Sequence, residues 1–449
     1  MKVMRDGRSV TVDVTADGAG LVSHAGTALL AQVADKLGLT RALSLRLAGL
    51  KQRRRGHDPG RVIRDLAVML ADGGECVSDL AVTREQQSLF GPVASDSTAF
   101  RVIDRTASEP GMLDALREAH ARARERFWAL HGAPESLTID IDATLITSHS
   151  EKEHAAGNYK GGYGFHPLGA YADQTREALG AILRPGNAGA NTAADHVLVL
   201  DLALAQIPAE QIENLEILIR ADRAGATHEL ADHCRDGNMR FSFGYDLTDA
   251  VRRAILQTPV HAWVPALDQD GSVRENGDVV EITEHLDLSS WPAGTRLIIR
   301  RERPHPGAQL SFTDHDGYRF QAILTDQDDT DVAIIERRHR QRARVEDRIR
   351  DDKDTGLAKF PFREFALNEV WLEIVMLAHD LIVWTQALLL SGELQKAEPK
   401  RLRYQLLHVA GRLAFSGRRA KLHLQDTWPW VTDLMAAFER LKSLPAATG

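Results

Sequence analysis

The sequence predicts an α/β protein: a mixed sheet covered by helices, preceded by a helical region and interrupted by a β-rich segment. Three observations carry this. Apolar residues recur at three- and four-residue spacing through residues 24–130. From residue 135 the period changes to two, and strand, strand, strand, helix, strand follow in that order. Residues 238–326 hold short strand-like runs with Asp-Gly and Asn-Gly turn signals, after which helical periodicity returns.

Each element has its own local cause. Helices are expected over residues 27–42, 61–72 and 112–131, and Asp96-Ser97-Thr98 supplies N-cap side chains ahead of Phe100-Arg101-Val102-Ile103. Leu137, Ile139 and Ile141 alternate with Thr138, Asp140 and Asp142, which makes a strand. Further strands are expected at 164–171, 178–183 and 215–220, with a helix over 192–206 before the last. In the β-rich segment the strand-like runs are 260–264, 279–282, 296–301 and 320–324. Helices are expected over 330–352, 364–391 and 400–415, with Phe360-Pro361-Phe362 separating the first two. The chain therefore divides into an N-terminal helical DNA-binding or dimerisation region (1–130), a first part of the core (131–237), a β-rich insertion (238–326), a second part of the core (327–395) and a basic C-terminal helical region (396–449).

Composition bounds the function. The 449 residues are 43% hydrophobic and 26% charged, enough apolar material to build a core and too much for a disordered chain. The most apolar run, 371–390, is broken by Glu373, His379 and Asp380, so no membrane span is expected. The opening Met-Lys-Val-Met-Arg-Asp lacks an apolar stretch of the secretory kind, and a cytoplasmic, nucleoid-associated protein is expected. Cys76 and Cys234 are too few for a disulfide framework or a thiolate zinc cluster, and His149, His154 and His166 do not form a convincing zinc set. The net charge is −8, yet residues 41–64 hold eight basic residues against Asp58 alone, and residues 396–421 hold eight against Glu398 alone. Two such islands in an acidic chain point to a polyanionic partner, DNA.

Three carboxylate positions stand out. Asp140 and Asp142 face the same side of an otherwise apolar strand, where an ionised carboxylate is costly unless paired or metal-bound. Asp222 ends the strand Leu215-Glu-Ile-Leu-Ile-Arg-Ala, at the edge where open α/β sheets bind ligands. Glu346 lies in the charged helix after Ile335. At about 100° per residue, His339, Arg342, Glu346 and Lys353 fall within about 60° of one another, on one stripe. Acids on strand, strand and helix are what two-metal phosphoryl chemistry requires: oxygen ligands for two Mg²⁺ ions, with open positions for water and phosphate.

Here the sequence resembles the bacterial insertion-sequence transposases of the DDE class, in the group with a tyrosine–arginine–glutamate–lysine signature. That signature has two, three and six residues between its members, as do His339, Arg342, Glu346 and Lys353; only the first letter departs, His for Tyr. Asn158-Tyr-Lys-Gly-Gly-Tyr-Gly-Phe-His-Pro-Leu and Leu183-Arg-Pro-Gly-Asn also resemble transposase DDE domain group 1, and the resemblance runs over residues 95–430. It implies a ribonuclease-H-like core, an oligomer acting on double-stranded DNA at terminal inverted repeats and at a target, and Mg²⁺ or Mn²⁺ as cofactor. It implies that Asp142, Asp222 and Glu346 are the catalytic metal ligands, with Asp140 the alternative first acid. Asp142 is preferred because the family's first acid is commonly followed by a hydroxyl residue, here Thr144. His339, Arg342 and Lys353 would bind DNA phosphates, and Trp291 would stack on a flipped base. The Gly-rich loop 157–164 lacks a Gly-Lys-Ser/Thr ending and reads as a hairpin turn rather than a nucleotide loop.

Two rivals differ in class. Asp140-Ile-Asp142-Ala-Thr144 also fits a haloacid-dehalogenase-type phosphatase, with Asp140 attacking phosphorus and Asp142 as acid/base; that reading leaves Glu346 idle. A DNA-binding protein descended from a transposase would bind without cutting.

Overall fold

The computed structural model describes residues 1–148, 151–189, 191–304 and 317–447; His149 lies outside them. Among the described residues nine strands form one mixed sheet, taken here in chain order: β1 (Ser136–Ala143), β2 (Leu168–Ala172), β3 (Ala178–Ile182), β4 (Glu216–Ala221), β5 (Arg240–Tyr245), β6 (Val264–Leu267), β7 (Val273–Glu281), β8 (Arg296–Glu302) and β9 (Arg319–Thr325). Across the sheet the order is β6-β7-β8-β9-β5-β4-β1-β2-β3. β1, β4 and β5 run parallel, while β2 and β3 on one side and β6 to β9 on the other are antiparallel additions. The helix Ala193–Leu204 supplies the crossover that parallel pairing of β1 and β4 demands.

The β-rich segment thus extends the central sheet instead of forming a sheet of its own. β5, inside it, hydrogen-bonds on one edge to β4 and on the other to β9. β1 and β4 are buried along most of their length, with Leu137, Ile139, Ile141, Ile217, Ile219 and Ala221 on one face and the ion-paired Asp140 and Arg220 on the other.

The helix Phe365–Leu389 is the centre of the core. It is long and apolar enough to cross a membrane, but most of it is buried inside this protein. It packs on β3 and on the helices Ala28–Lys36, Pro59–Ala71, Asp96–Ser108 and Met112–His131. Sheet and N-terminal helices therefore share one hydrophobic core running from Leu29 to Leu441. Pro59–Ala71 starts where Asp58 accepts a hydrogen bond from the Arg61 amide and Pro59 occupies the first turn.

Several elements differ from expectation. The helix over 27–42 divides at Gly38, whose φ of 75° stops Ala28–Lys36 and starts Leu39–Arg46. The helix over 330–352 divides into Val332–Arg340 and Arg344–Asp352 across a 3₁₀ turn. The helix expected over 400–415 ends at Leu407, and Gly411–Ser416 pairs as a strand with Arg419–Leu424 and with Leu21–Val22. The strand run at 260–264 is a 3₁₀ turn until Val264, and 164–171 contains two strands, Tyr163–Phe165 and Leu168–Ala172.

Candidate active site

The register pairs Ile141 with Ala221 on parallel β1 and β4. One residue further along, Asp142 and Asp222 stand side by side at the carboxyl ends, on strands about 5 Å apart. Burial raises the pKa of Asp142, with Asp222 adding to the rise and Arg342 opposing it. Asp142 Oδ2 accepts from Arg342 Nη1 at 3.3 Å, and the other Arg342 amino group lies 3.9 Å from Glu346. One guanidinium therefore spans the first and third acids. The helix Arg344–Asp352 buries Val345 and Ile349 and leaves Glu346 on its open side, 68% exposed.

Asp140 is in a different situation. It is buried, and Arg220 clamps it bidentately, both N–O distances being 2.7 Å. Burial still pushes its carboxyl up to about 6 against the pull of Arg220. Buried and held on both oxygens by one guanidinium, Asp140 is a structural ion-pair partner of Arg220, which disfavours it as the nucleophile of the phosphatase reading.

Asp222 and Glu346 line one cleft of about 780 Å³. Six arginines share its walls: Arg223, Arg252, Arg300, Arg319, Arg340 and Arg342. They come from five separate stretches of chain; Arg340 and Arg342 belong to the basic stretch 337–344, and the other four are scattered over residues 223–319. His339 lines the same cleft; burial and the nearby Arg342, Arg220 and Arg300 lower its pKa to about 3, and Nδ1 meets the Ser242 hydroxyl at 2.9 Å. It is a neutral ring and contributes no positive charge.

Lys353 is not a wall of this cleft. It opens a π-helical turn after Asp352, half-buried, with its pKa lowered by burial and by Lys160. Trp291 stands behind the wall, its ring 4.0 Å from that of His228 and edge-on to Tyr245, which lines the cleft.

The acid helix is held by residues that the sequence analysis did not single out. At its end, Asp352 accepts from the Tyr171 hydroxyl at 2.5 Å and meets His379 Nδ1 at 2.6 Å. His379 Nε2 donates to the Arg176 carbonyl. Tyr171 lies on β2 opposite Asp140, so the helix bearing Glu346 is fixed to the sheet bearing Asp142. The available signal was His379 itself, an ionisable residue in an otherwise apolar stretch.

The basic islands are partly structural. Arg64 is buried against Asp65, and Arg403 caps the carbonyls of Leu70 and Ala71. Arg53, Arg54 and Arg55, and Arg412, Arg418, Arg419 and Lys421 on the C-terminal hairpin, remain exposed.

Parallel strands thus end in adjacent acids beside an arginine-lined cleft. Residues 4–446 match the family described as Transposase DDE domain group 1, and the chain belongs to that family. It also resembles the solved structure titled "Cryo-EM structure of piggyBac transposase synaptic complex with hairpin DNA (SNHP)", with 10% identity and a TM-score of 0.41 over 85% of this chain and 80% of that one. No curated protein matches the sequence.

Proposed function

We propose that this protein is the DNA transposase of a bacterial insertion sequence, binding terminal inverted repeats as an oligomer and carrying out metal-dependent strand cleavage and strand transfer. The observation that carries the reading is the pair Asp142 and Asp222 on neighbouring parallel strands, joined to Glu346 through Arg342. The order β3-β2-β1-β4-β5, antiparallel among the first three strands and parallel among the last three, supports a ribonuclease-H-like core.

The donor set fits hard divalent cations: Asp142 and Asp222 are neighbours in the β1–β4 register, Arg342 reaches both Asp142 and Glu346, and the neighbouring imidazole of His339 is turned to Ser242. Asp142, Asp222 and Glu346 would hold two Mg²⁺ ions, for which Mn²⁺ can substitute. When bound, such ions supply activation of the attacking oxygen and charge for the leaving one. In hydrolysis a water oxygen bonds to phosphorus as the 3′-oxygen leaves; in transfer the freed 3′-hydroxyl attacks a target phosphodiester and displaces its 3′-oxygen. The cleft arginines orient the polyanion, and Arg342 shifts from Asp142 to a phosphate flanking the reacting bond. Lys353, half-buried with no ion pair among the described residues, is placed by this reading against the backbone outside the cleft, together with Lys160.

The test is incubation of the purified protein with Mg²⁺ and DNA carrying the element's ends. Nicking and joining are expected, and Glu346→Gln should abolish both while retaining binding. Binding without nicking by the unaltered protein would favour a silent DNA-binding descendant.

A further inference from the structure

A second cluster of ligand-type side chains lies away from the arginine cleft, where the two ends of the chain meet. His24 Nδ1 lies 2.6 Å from Asp72 Oδ2, and His408 Nε2 lies 3.1 Å from Asp72 Oδ1. The three donor atoms lie within 4.8 Å of one another. Asp72 is buried, His24 half-buried and His408 solvent-accessible, so the cluster has a closed floor and an open mouth.

The surroundings of Asp72 concentrate hydrogen-bond donors on a buried carboxylate. The residue ends the helix Pro59–Ala71, where the backbone dipole is negative and a carboxylate is unfavourable. Arg403 hydrogen-bonds the carbonyls of Leu70, Ala71 and Asp354, and its charge attracts Asp72 without a direct hydrogen bond to it among the described residues. Hydrogen bonds to the carboxylate come from the two imidazoles and from the Thr27 hydroxyl, 2.5 Å from Oδ1. Two ring nitrogens and a hydroxyl thus converge on one buried carboxylate, leaving nitrogen and oxygen donors grouped around a single point.

The backbone pre-positions the set. The Ala25 amide donates to the Val409 carbonyl at 3.0 Å and the Gly26 amide to that of Leu407 at 3.1 Å. Gly26 permits this contact, since a Cβ there would stand 1.9 Å from the Leu406 carbonyl oxygen. The segments carrying His24 and His408 are thus locked together independently of their side chains. Two imidazole nitrogens and one carboxylate oxygen, with a hydroxyl bonded to the carboxylate, form the three-ligand set of a tetrahedral zinc site whose fourth position is water. Ligand bonds of about 2.0–2.2 Å set tetrahedral donors roughly 3.3 Å apart, so the cluster would open by less than about 1 Å.

We propose that His24, Asp72 and His408 bind one zinc-class divalent cation, which ties the N-terminal segment and the C-terminal segment to the end of the helix Pro59–Ala71. This site is distinct from the proposed Mg²⁺ site and rests on none of its acids. A soft-to-borderline ion is selected by the nitrogen donors, as hard Mg²⁺ is by carboxylates alone.

The test uses untagged full-length protein, stripped with chelator, dialysed into excess Mg²⁺ and titrated with ZnCl₂. One tightly held equivalent of zinc and a rise in Tm of a few degrees are expected, as are the visible bands of four-coordinate cobalt after Co²⁺ replacement. His408→Ala, at the open mouth, should weaken zinc binding by more than the roughly 10–100-fold that loss of an outer-shell partner causes. Asp142→Asn should retain it fully. Absence of stoichiometric zinc in the unaltered protein overturns the proposal, and so does equal binding by His24→Ala and His408→Ala. If His408→Ala does not fold, the cobalt spectrum of the unaltered protein decides, since octahedral cobalt alone excludes a tetrahedral His₂Asp site.

Discussion

At the residue scale, Asp140 and Asp142 are two positions apart and chemically opposite. Asp140 shares buried Arg220 with Asp173, so Asp140→Asn removes one of its two carboxylates and should cost about 1–3 kcal/mol, read by denaturant unfolding. Asp142 is crowded by Asp222, so Asp142→Asn should leave stability unchanged or improve it while abolishing cleavage. A folded, cleaving Asp142→Asn protein would refute that assignment. Arg342→Ala and Lys353→Ala should each weaken DNA binding across all sequences and reduce the slope of log K against log salt by about 1, measured by fluorescence anisotropy. The acids were legible because a carboxylate at the end of an apolar strand is conspicuous. So was Arg342, on the same helical stripe as Glu346, but Arg223, Arg252, Arg300 and Arg319 were not, because they become neighbours only through the sheet.

At the element scale, the helix Arg344–Asp352 depends on its far end. Burial opposes a charge on His379, but Asp352 and the hydrogen bond to it, with Asp380 nearby, raise its pKa to about 9 from an ordinary 6.5. The folded state therefore binds this proton more tightly than the unfolded chain does. Stabilisation of on the order of 3 kcal/mol is complete below about pH 6.5, falls as pH rises and is gone above about pH 9. The Tm gap between the unaltered protein and His379→Gln should accordingly narrow from pH 6 to pH 10; a constant gap would contradict the ion pair. Gly356, in the turn after this helix, has φ of 111°, and an added Cβ would stand 2.8 Å from a Leu70 methyl. Gly356→Ala should lower stability by roughly 2–4 kcal/mol, from strain plus overpacking, in thermal or urea unfolding. Strand–helix order was readable from periodicity alone. The C-terminal hairpin was not: Arg412-Leu413-Ala414-Phe415 offers no clear period, and pairing with Leu21–Val22 is a contact across nearly the whole chain.

At the scale of the whole molecule, the boundary drawn near residue 130 is not a boundary in packing. The helices before it and the sheet after it both pack on Phe365–Leu389 and share its core. A fragment of residues 131–449 should therefore expose that helix and aggregate, whereas the full chain should unfold in one transition by calorimetry; a soluble, folded fragment would show two independent units. Local periodicity could not reveal this, because it reports which face of a helix is apolar and not which distant segment covers it.

The late position of that covering helix also sets a timetable. Residues 28–131 leave the ribosome with their apolar faces formed, and their partner is complete only roughly 260 residues later, about 13–50 s at ~5–20 residues per second. The helix Val431–Ser443 packs on both Ala28–Lys36 and the central helix and is translated after both. A nascent chain arranged this way must remain shielded, by chaperones or by loose self-association, until synthesis ends.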